Sequence, residues 1–329
     1  MPANLPPQYN KAEQEFRAAT TPAARLEKLR EMFRLLPKHK GTEKLQAELK
    51  TKISRAKEEI ASPASAGKRS GVSYRVARDG AGQIVLVGPP NSGKSALLAA
   101  LSHAKPDVAP YPFTTRAPQP GMVDVLDVRY QLVDLPPITA DVCEPWLPGL
   151  ILGADAALLV VDLSDDDAID SADAALNRLA DVKITLTGAP VAVEDENAFS
   201  IKTLLVANKS DAPGAHERLE VLREWAGERF PVCVTSTISG QGLDEMRKLA
   251  YDLLDMIRIY TKLPGRPADR ERPFTIAAGG TIADLAGTIH GDLDGAVKFA
   301  KVWGVGVHDG QSVKRDHPLH DTDVVEIHF

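Results

Sequence analysis

The chain has 329 residues, of which 43% are hydrophobic and 26% are charged. These proportions are typical of a soluble globular protein with two or three domains. Two cysteines, Cys143 and Cys233, lie far apart and match neither a disulfide framework nor a metal-ligand spacing. The N-terminus lacks the apolar stretch of a signal peptide, and no uninterrupted apolar run is long enough to span a membrane. We therefore expect a cytoplasmic protein with no membrane partner.

The net charge of −6 is unevenly distributed along the chain. Residues 1–80 carry 17 Lys and Arg against 9 Asp and Glu, whereas the remainder carries 22 against 36. A basic segment on an acidic body favours a polyanionic partner for that segment. The alternative is a solvated pair of helices with surplus lysines.

Residues 1–71 predict a basic helical hairpin followed by a linker. Apolar residues recur at helical spacing from about residue 9 to 36 and again from about 42 to 60. Pro22 fits the first turn of a helix, where a missing N–H is tolerated. Residues 61–71, rich in Ser, Ala, Gly and Pro, are typical of a linker.

Residues 72–263 alternate strand-like and helical runs. Alternation of this kind predicts an α/β domain with a doubly wound, mostly parallel sheet, whose ligands bind at the carboxyl ends of the strands. Residues 183–187 fit either an extra strand or an inserted hairpin. The other predicted strands are 84–87, 123–128, 130–133, 156–162, 203–207 and 232–235, and the predicted helices are 95–102, 168–179, 216–228 and 242–260.

Residues 264–329 predict a separate C-terminal module that begins at a Pro-Gly-Arg-Pro boundary. Strand patterns at 274–277, 298–302 and 324–327 surround one helix, for which Thr281 is the expected N-cap. A sheet wrapped on one helix in so short a segment predicts a β-grasp fold.

The stretch from residue 88 to 95 predicts a phosphate-binding loop. It lies between an apolar strand and a helix, the context in which G-x-x-x-x-G-K-S becomes a credible P-loop. Its backbone N–H groups and the helix N-terminus form an anion site. Lys94 is expected to reach the β- and γ-phosphates, and Ser95 to offer its hydroxyl to Mg²⁺. The predicted contacts are Gly88, Pro89, Pro90, Asn91, Ser92, Gly93, Lys94, Ser95 and Ala96.

Residues 208–211, with the sequence NKSD, predict the base that is bound. The Asp211 carboxylate can accept two hydrogen bonds from guanine N1 and N2, and adenine lacks that donor pair, so we expect GTP and GDP rather than ATP. Asn208 is expected to brace the loop, and the stem of Lys209 to lie over the ring. Backbone N–H groups of the next loop are expected to meet guanine O6 at Ser236, Thr237 and Ile238.

Two further positions are candidates for the magnesium ion. Asp134 ends a predicted strand and is placed to reach Mg²⁺ through water. Thr114 and Thr115 lie in a proline-rich loop of sequence YPFTT, and Thr115 is the candidate for contact with Mg²⁺ and the γ-phosphate. The alternative for both threonines is that they are ordinary loop hydroxyls.

In their order along the chain, these motifs resemble those of the Obg class of translation-factor-type GTPases. The whole arrangement resembles the developmentally regulated GTP-binding (DRG) branch. Residues 38–43, with the sequence KHKGTE, are similar to the N-terminal element of that branch. Residues 298–304 and 323–327 are similar to its TGS domain, a β-grasp fold. The segment from Asp162 to Asn208 is shorter than the insertion that is typical of DRG proteins.

The resemblance implies a slow GTP-hydrolysing switch that associates with the ribosome, with RNA or with a small regulatory protein. Ile138 stands where Ras-type enzymes carry the glutamine that positions water, so hydrolysis without that glutamine is implied. Asn91 matches the asparagine of potassium-activated relatives, in which a K⁺ ion supplies positive charge; the alternative is that it braces the loop. The catalytic candidates are Lys94, Thr115 and Asn91.

Pro137 departs from the pattern DxPG, which the resemblance to this family implies, because this chain has DLPP at residues 134–137. The glycine of the pattern donates its N–H to the γ-phosphate, whereas proline has no N–H. A lost hydrogen bond of this kind is worth about 1.5–3 kcal/mol. We expect slower hydrolysis or a smaller affinity gap between GTP and GDP. The alternatives are a shifted loop in which the Ile138 N–H substitutes, and a GTP-dependent binding module with impaired hydrolysis.

Overall fold

The computed structural model describes residues 22–35, 49, 52, 74, 76–102, 117–189, 198–289 and 297–328. The chain divides into two compact units, Met1–Val72 and Ser73–Phe329. Most of the predicted hairpin, the predicted linker and the loop carrying Thr114 and Thr115 lie outside the described residues.

Helix α1, Pro22–Leu35, is the described helix of the first unit. It begins at the predicted proline, which suits the first turn because N–H groups there have no intrahelical acceptor. Leu29 and Met32 are buried, three residues apart on one face. This confirms an amphipathic helix in the N-terminal region.

The first sheet of the second unit has the strand order β2-β3-β1-β4-β6-β5, with β7 also on β6. The β2–β3 pair is antiparallel, and the other described pairs are parallel. This confirms the doubly wound, mostly parallel sheet. The strands are β1 Gln83–Val87, β2 Gln119–Val125, β3 Val128–Asp134, β4 Ala156–Asp162, β5 Ile184–Thr187, β6 Phe199–Asn208 and β7 Val232–Val234.

Helices cover both faces of this sheet. Strands β1 and β4 are buried at every residue, as expected for central parallel strands. Alternate residues of these strands enter two separate apolar clusters, one on each face. The helices are α2 Lys94–Leu101, α3 Leu147–Gly153, α4 Ala168–Ala180, α5 Ala215–Ala226 and α6 Leu243–Asp252.

The second sheet has the order β11-β10-β12-β8-β9 and packs on helix α7, Ile282–Ile289. Its core includes Ile259, Leu285 and Val302, all fully buried. A mixed sheet on one helix confirms the β-grasp fold. The strands are β8 Met256–Thr261, β9 Asp269–Ala277, β10 Phe299–Trp303, β11 Gln311–Val313 and β12 Val324–His328.

Two predictions of secondary structure need revision. The helix predicted at 242–260 ends at Asp252, and Asp255 turns the chain with a φ of 49°. The following strand β8 alternates isoleucines with Arg258 and Tyr260, the period of a strand rather than a helix. The second sheet therefore starts at Met256, ahead of the boundary predicted at residue 264. Residues 183–187, left open above, contain the parallel strand β5 rather than a hairpin.

The two sheets of the second unit are joined through the turn between β2 and β3. Asp127 in this turn accepts hydrogen bonds from Arg258 Nη1, at 2.8 Å, and from the Tyr260 hydroxyl. Arg258 also donates to both carboxylate oxygens of Asp321. Burial alone would raise the pKa of Asp127, but the hydrogen bonds from Tyr260 and Arg258 outweigh it and lower that pKa.

Candidate nucleotide-binding site

The loop between β1 and α2 has the backbone shape that its glycines predict. Gly88 has a φ of 149° and Gly93 a φ of 96°, both in the region that favours glycine. A Cβ at Gly88 would lie 2.5 Å from the Val160 carbonyl oxygen, and one at Gly93 would lie 2.1 Å from Asn208 Nδ2. The loop is thus pressed against both β4 and the NKSD loop, and only glycine fits at these two contacts.

Lys94 lies beneath this loop, with 6% of its surface exposed. Its Nζ donates to the carbonyl oxygens of Gly88, at 3.0 Å, and Pro89, at 2.7 Å. Burial lowers the pKa of Lys94 to about 8, while the charge of Asp134 acts in the opposite direction. The ammonium is held at the phosphate end of the site, where a bound anion would favour its charged form.

Ser95 and Asp134 meet at the first turn of α2. The Ser95 hydroxyl donates to Asp134 Oδ2 at 2.5 Å, and Asp134 is fully buried at the end of β3. A hydroxyl and a carboxylate side by side are the oxygen ligands that Mg²⁺ takes in proteins. The donor set therefore fits a magnesium ion at this point.

The segment after Asp134 is fixed to the P-loop. The Ile138 N–H donates to the Gly88 carbonyl oxygen at 3.2 Å. The Ile138 side chain is fully buried in the same apolar cluster as Val85 and Val87. Pro137, one residue earlier, has no N–H to offer.

Asn208 connects the base end of the site to the phosphate end. It is fully buried, and its Nδ2 donates to the Ser92 carbonyl oxygen at 3.0 Å. Its Oδ1 accepts from the Thr235 hydroxyl at 3.3 Å. The amide thus ties the NKSD loop, the P-loop and the end of β7 together.

Asp211 is held by the loop that follows β7. It accepts a hydrogen bond from the Ser236 hydroxyl, whose oxygen in turn accepts from the N–H groups of Ile238, at 3.2 Å, and Ser239, at 3.1 Å. The Ser236 N–H donates to the Gln241 carbonyl oxygen at 3.0 Å. The loop is therefore closed around the side chain of Ser236.

The structure also brings in residues that the sequence did not single out. Asp162 accepts from Lys209 Nζ at 2.5 Å and from the Ser164 hydroxyl at 2.6 Å. Arg218 Nη1 donates to the carbonyl oxygens of Leu163, at 2.9 Å, and Pro213, at 2.8 Å. Arg218 therefore links the loop after β4 to the loop after β6. Asp162 ends a strand at the same edge as the NKSD motif, a signal that the sequence did contain.

Comparisons with known proteins match two families along the chain. Residues 83–209 match the family described as 50S ribosome-binding GTPase, and residues 257–329 match the TGS domain. None of the helices in the described part of the chain has the length and hydropathy of a membrane span.

Curated relatives match most of the chain. An uncharacterized GTP-binding protein of Halobacterium salinarum is 28% identical over 92% of this chain and 97% of its own. Developmentally-regulated GTP-binding protein 1 of Xenopus laevis is 27% identical over 88% of this chain and 94% of its own. The alignment with the first relative spans 364 residues, more than the 329 of this chain, so that relative contains segments that this chain lacks.

A solved structure shares the fold. The crystal structure of a GTP-binding protein from Pyrococcus horikoshii is 17% identical and has a TM-score of 0.51, over 74% of this chain and 99% of that chain. The predicted resemblance is confirmed: residues 83–209 match the 50S ribosome-binding GTPases, residues 257–329 match the TGS domain, and the relatives that match most of the chain include proteins named developmentally regulated GTP-binding proteins.

Proposed function

We propose that the protein binds GTP and GDP and acts as a slow GTP-hydrolysing switch associated with the ribosome or RNA. The observation that carries the proposal is the bond from Asn208 Nδ2 to the Ser92 carbonyl oxygen. It fixes the distance between a base-binding loop and a phosphate-binding loop, so that one nucleotide contacts both.

The base is selected by Asp211. Its carboxylate binds guanine N1 and N2, and Ser236 holds it in place from the opposite loop. The N–H groups of Ser236 and Ile238 are engaged inside that loop. We therefore narrow the predicted contact with guanine O6 to the N–H of Thr237.

The phosphates lie on the loop from Gly88 to Ala96. Lys94 leaves its two carbonyl partners and binds the β- and γ-phosphates, since a doubly charged oxygen cluster is the stronger partner for an ammonium. Ser95 and Asp134, with Thr115, would hold Mg²⁺, which when bound neutralises phosphate charge. Transition-state stabilisation by Lys94 and positioning by Thr115 are the main contributions of this chain.

Hydrolysis proceeds without a glutamine, and we propose that Asn91 binds a K⁺ ion beside the phosphates. Asn91 stands at an exposed position of the loop with a φ of 61°. A cation there supplies positive charge to the transition state.

A second candidate function is a GTP-dependent binding module with impaired hydrolysis. The bond from the Ile138 N–H to the Gly88 carbonyl oxygen favours it. With that N–H engaged and Pro137 without one, neither residue donates to the γ-phosphate in this arrangement.

The partner is proposed from charge and from the family. The surplus of basic residues in residues 1–80 suits RNA, and the matching family is described as ribosome-binding. A small regulatory protein is a further candidate partner. The cytoplasm is the compartment that this partner implies.

GTP turnover measured in Na⁺ and in K⁺ tests the proposal. Turnover that K⁺ stimulates supports the switch with Asn91 as an ion ligand. GTP binding with no turnover in either salt supports the binding module, and failure to bind GTP at all contradicts both candidates.

A further inference from the structure

The carboxylate of Asp162, the last residue of β4, lies beside the lysine of the NKSD loop. Its Oδ2 accepts from Lys209 Nζ at 2.5 Å. Its Oδ1 accepts from the Ser164 backbone N–H at 2.7 Å and from the Ser164 hydroxyl at 2.6 Å. The Asp162 side chain is 11% exposed, so water competes little for these bonds.

The backbone and side chain of Lys209 are both restricted in this structure, and the ion pair with Asp162 contributes to that restriction. Lys209 has a φ of 63°, a left-handed conformation that is unfavourable for a residue with a Cβ. A lysine stem also has many rotamers, and fixing them costs entropy. The Leu163 N–H donates to the Asn208 carbonyl oxygen at 2.9 Å, which sets the two loops at a fixed distance. The ion pair then selects one direction for the Lys209 stem.

We propose that Asp162 is a positioning residue for guanine nucleotides, which holds the stem of Lys209 over the plane of the base. The inference rests on the proposed function, in which Lys209 covers the ring. A stem that is already in place loses less freedom when the nucleotide binds, so the ion pair raises affinity by preorganisation.

This role differs from that of Asp211 in what it discriminates. Asp211 contacts the hydrogen-bonding edge of guanine, whereas the Lys209 stem covers the face of the ring, a contact that does not depend on the number of phosphates. Loss of Asp162 should therefore weaken GDP and GTP binding by the same factor and leave their ratio unchanged. A purely structural role, in which Asp162 only fixes the turn at Ser164, predicts no dependence on Lys209.

A double-mutant cycle on the full chain separates the two roles. Dissociation constants for GDP and GTP are measured by calorimetry for Asp162→Asn, Lys209→Met and the double variant, with thermal unfolding of each. The asparagine retains an acceptor for Ser164 but loses the charge that attracts Lys209. We expect each single variant to bind both nucleotides about tenfold more weakly, and the double variant no more weakly than either, which is a coupling of about 1.4 kcal/mol.

Asp165→Asn is the matched control, because it removes the same charge from an exposed residue of the same loop. It should bind both nucleotides within about twofold of the unaltered chain, the range expected of surface changes. Additive losses in the double variant, or full affinity in Asp162→Asn, would overturn the inference while the proposed function stands. Absence of guanine nucleotide binding by the unaltered chain would overturn both.

Discussion

The two ends of the candidate nucleotide site are organised differently. At the base end, the polar side chains are already held by hydrogen bonds within the protein. Asn208 donates to the Ser92 carbonyl oxygen, and Asp211 accepts from the Ser236 hydroxyl. At the phosphate end, the Lys94 ammonium is bound to carbonyl oxygens of its own loop, and in the proposed function a phosphate takes their place. A preorganised base end gives selectivity, whereas an end that exchanges partners responds to charge, pH and conformation.

The largest change in nucleotide affinity is predicted for a substitution at the base end. Asp211→Asn replaces one of two acceptor oxygens by an NH₂ group, which opposes the guanine donors. We expect GDP affinity to fall by at least about 100-fold, because a site built for specific hydrogen bonds strongly rejects a mismatch. Xanthosine diphosphate, which presents a carbonyl in place of the guanine amino group, should bind the variant better than GDP does. Unchanged GDP affinity would remove Asp211 from the site.

The second prediction concerns a substitution that adds a hydrogen-bond donor at the phosphate end. Pro137→Gly restores the N–H that the DxPG pattern supplies to the γ-phosphate. A charge-assisted bond of about 1.5–3 kcal/mol corresponds to roughly a 10- to 100-fold gain in the affinity for GTP relative to GDP, or in turnover. Pro137→Ala is the matched control, since it restores the N–H without the freedom of glycine and should give part of the gain. No gain in either variant would show that position 137 does not sense the γ-phosphate.

The third prediction concerns pH and the buried lysine. Below its pKa of about 8, Lys94 is charged before and after nucleotide binds; above it, binding must take up a proton because the phosphates raise this pKa. GDP affinity should therefore fall by up to about tenfold per pH unit above that pKa. Calorimetry in two buffers of different ionisation enthalpy measures the proton uptake. Lys94→Met should show only the titration of the nucleotide, and equal pH profiles for the two proteins would contradict the prediction.

The last prediction concerns the link between the two sheets, where a substitution should leave nucleotide affinity unchanged. Asp127→Asn weakens the hydrogen bonds from Arg258 and Tyr260. It should lower the free energy of unfolding by about 1–2 kcal/mol and leave GDP affinity unchanged. The lowered pKa of Asp127 means that the native carboxylate stabilises the fold above its unfolded pKa near 4, and that this contribution is lost as pH falls through the folded pKa. The stability difference between the two proteins should thus vanish at low pH. A weaker GDP affinity would show that the link and the site are coupled.

Local patterns predicted the two loops of the candidate site, because the P-loop and the NKSD loop are each one continuous segment of the chain. The pair between Asp162 and Lys209 was missed, since it depends on β4 and β6 being neighbours in the sheet. The contact between Asp127 and Arg258 joins residues 131 positions apart, beyond the reach of any local pattern. The end of the helix at residue 252 was missed although Ile257 and Ile259 alternate with other residues in β8, residues 256–261. The hydrogen bond from the Ile138 N–H to the Gly88 carbonyl oxygen could not be predicted, because it depends on backbone geometry and not on the identity of the side chains.

In the proposed function, this site selects guanine nucleotides through a base end that is organised before the nucleotide binds. Calorimetric titration of the unaltered full chain with GDP and with ADP, both with Mg²⁺, tests it most directly. We expect saturable one-to-one binding of GDP and an affinity for ADP at least about 100-fold weaker. Equal affinity for the two nucleotides would contradict the role of Asp211 and the assignment of the site to guanine.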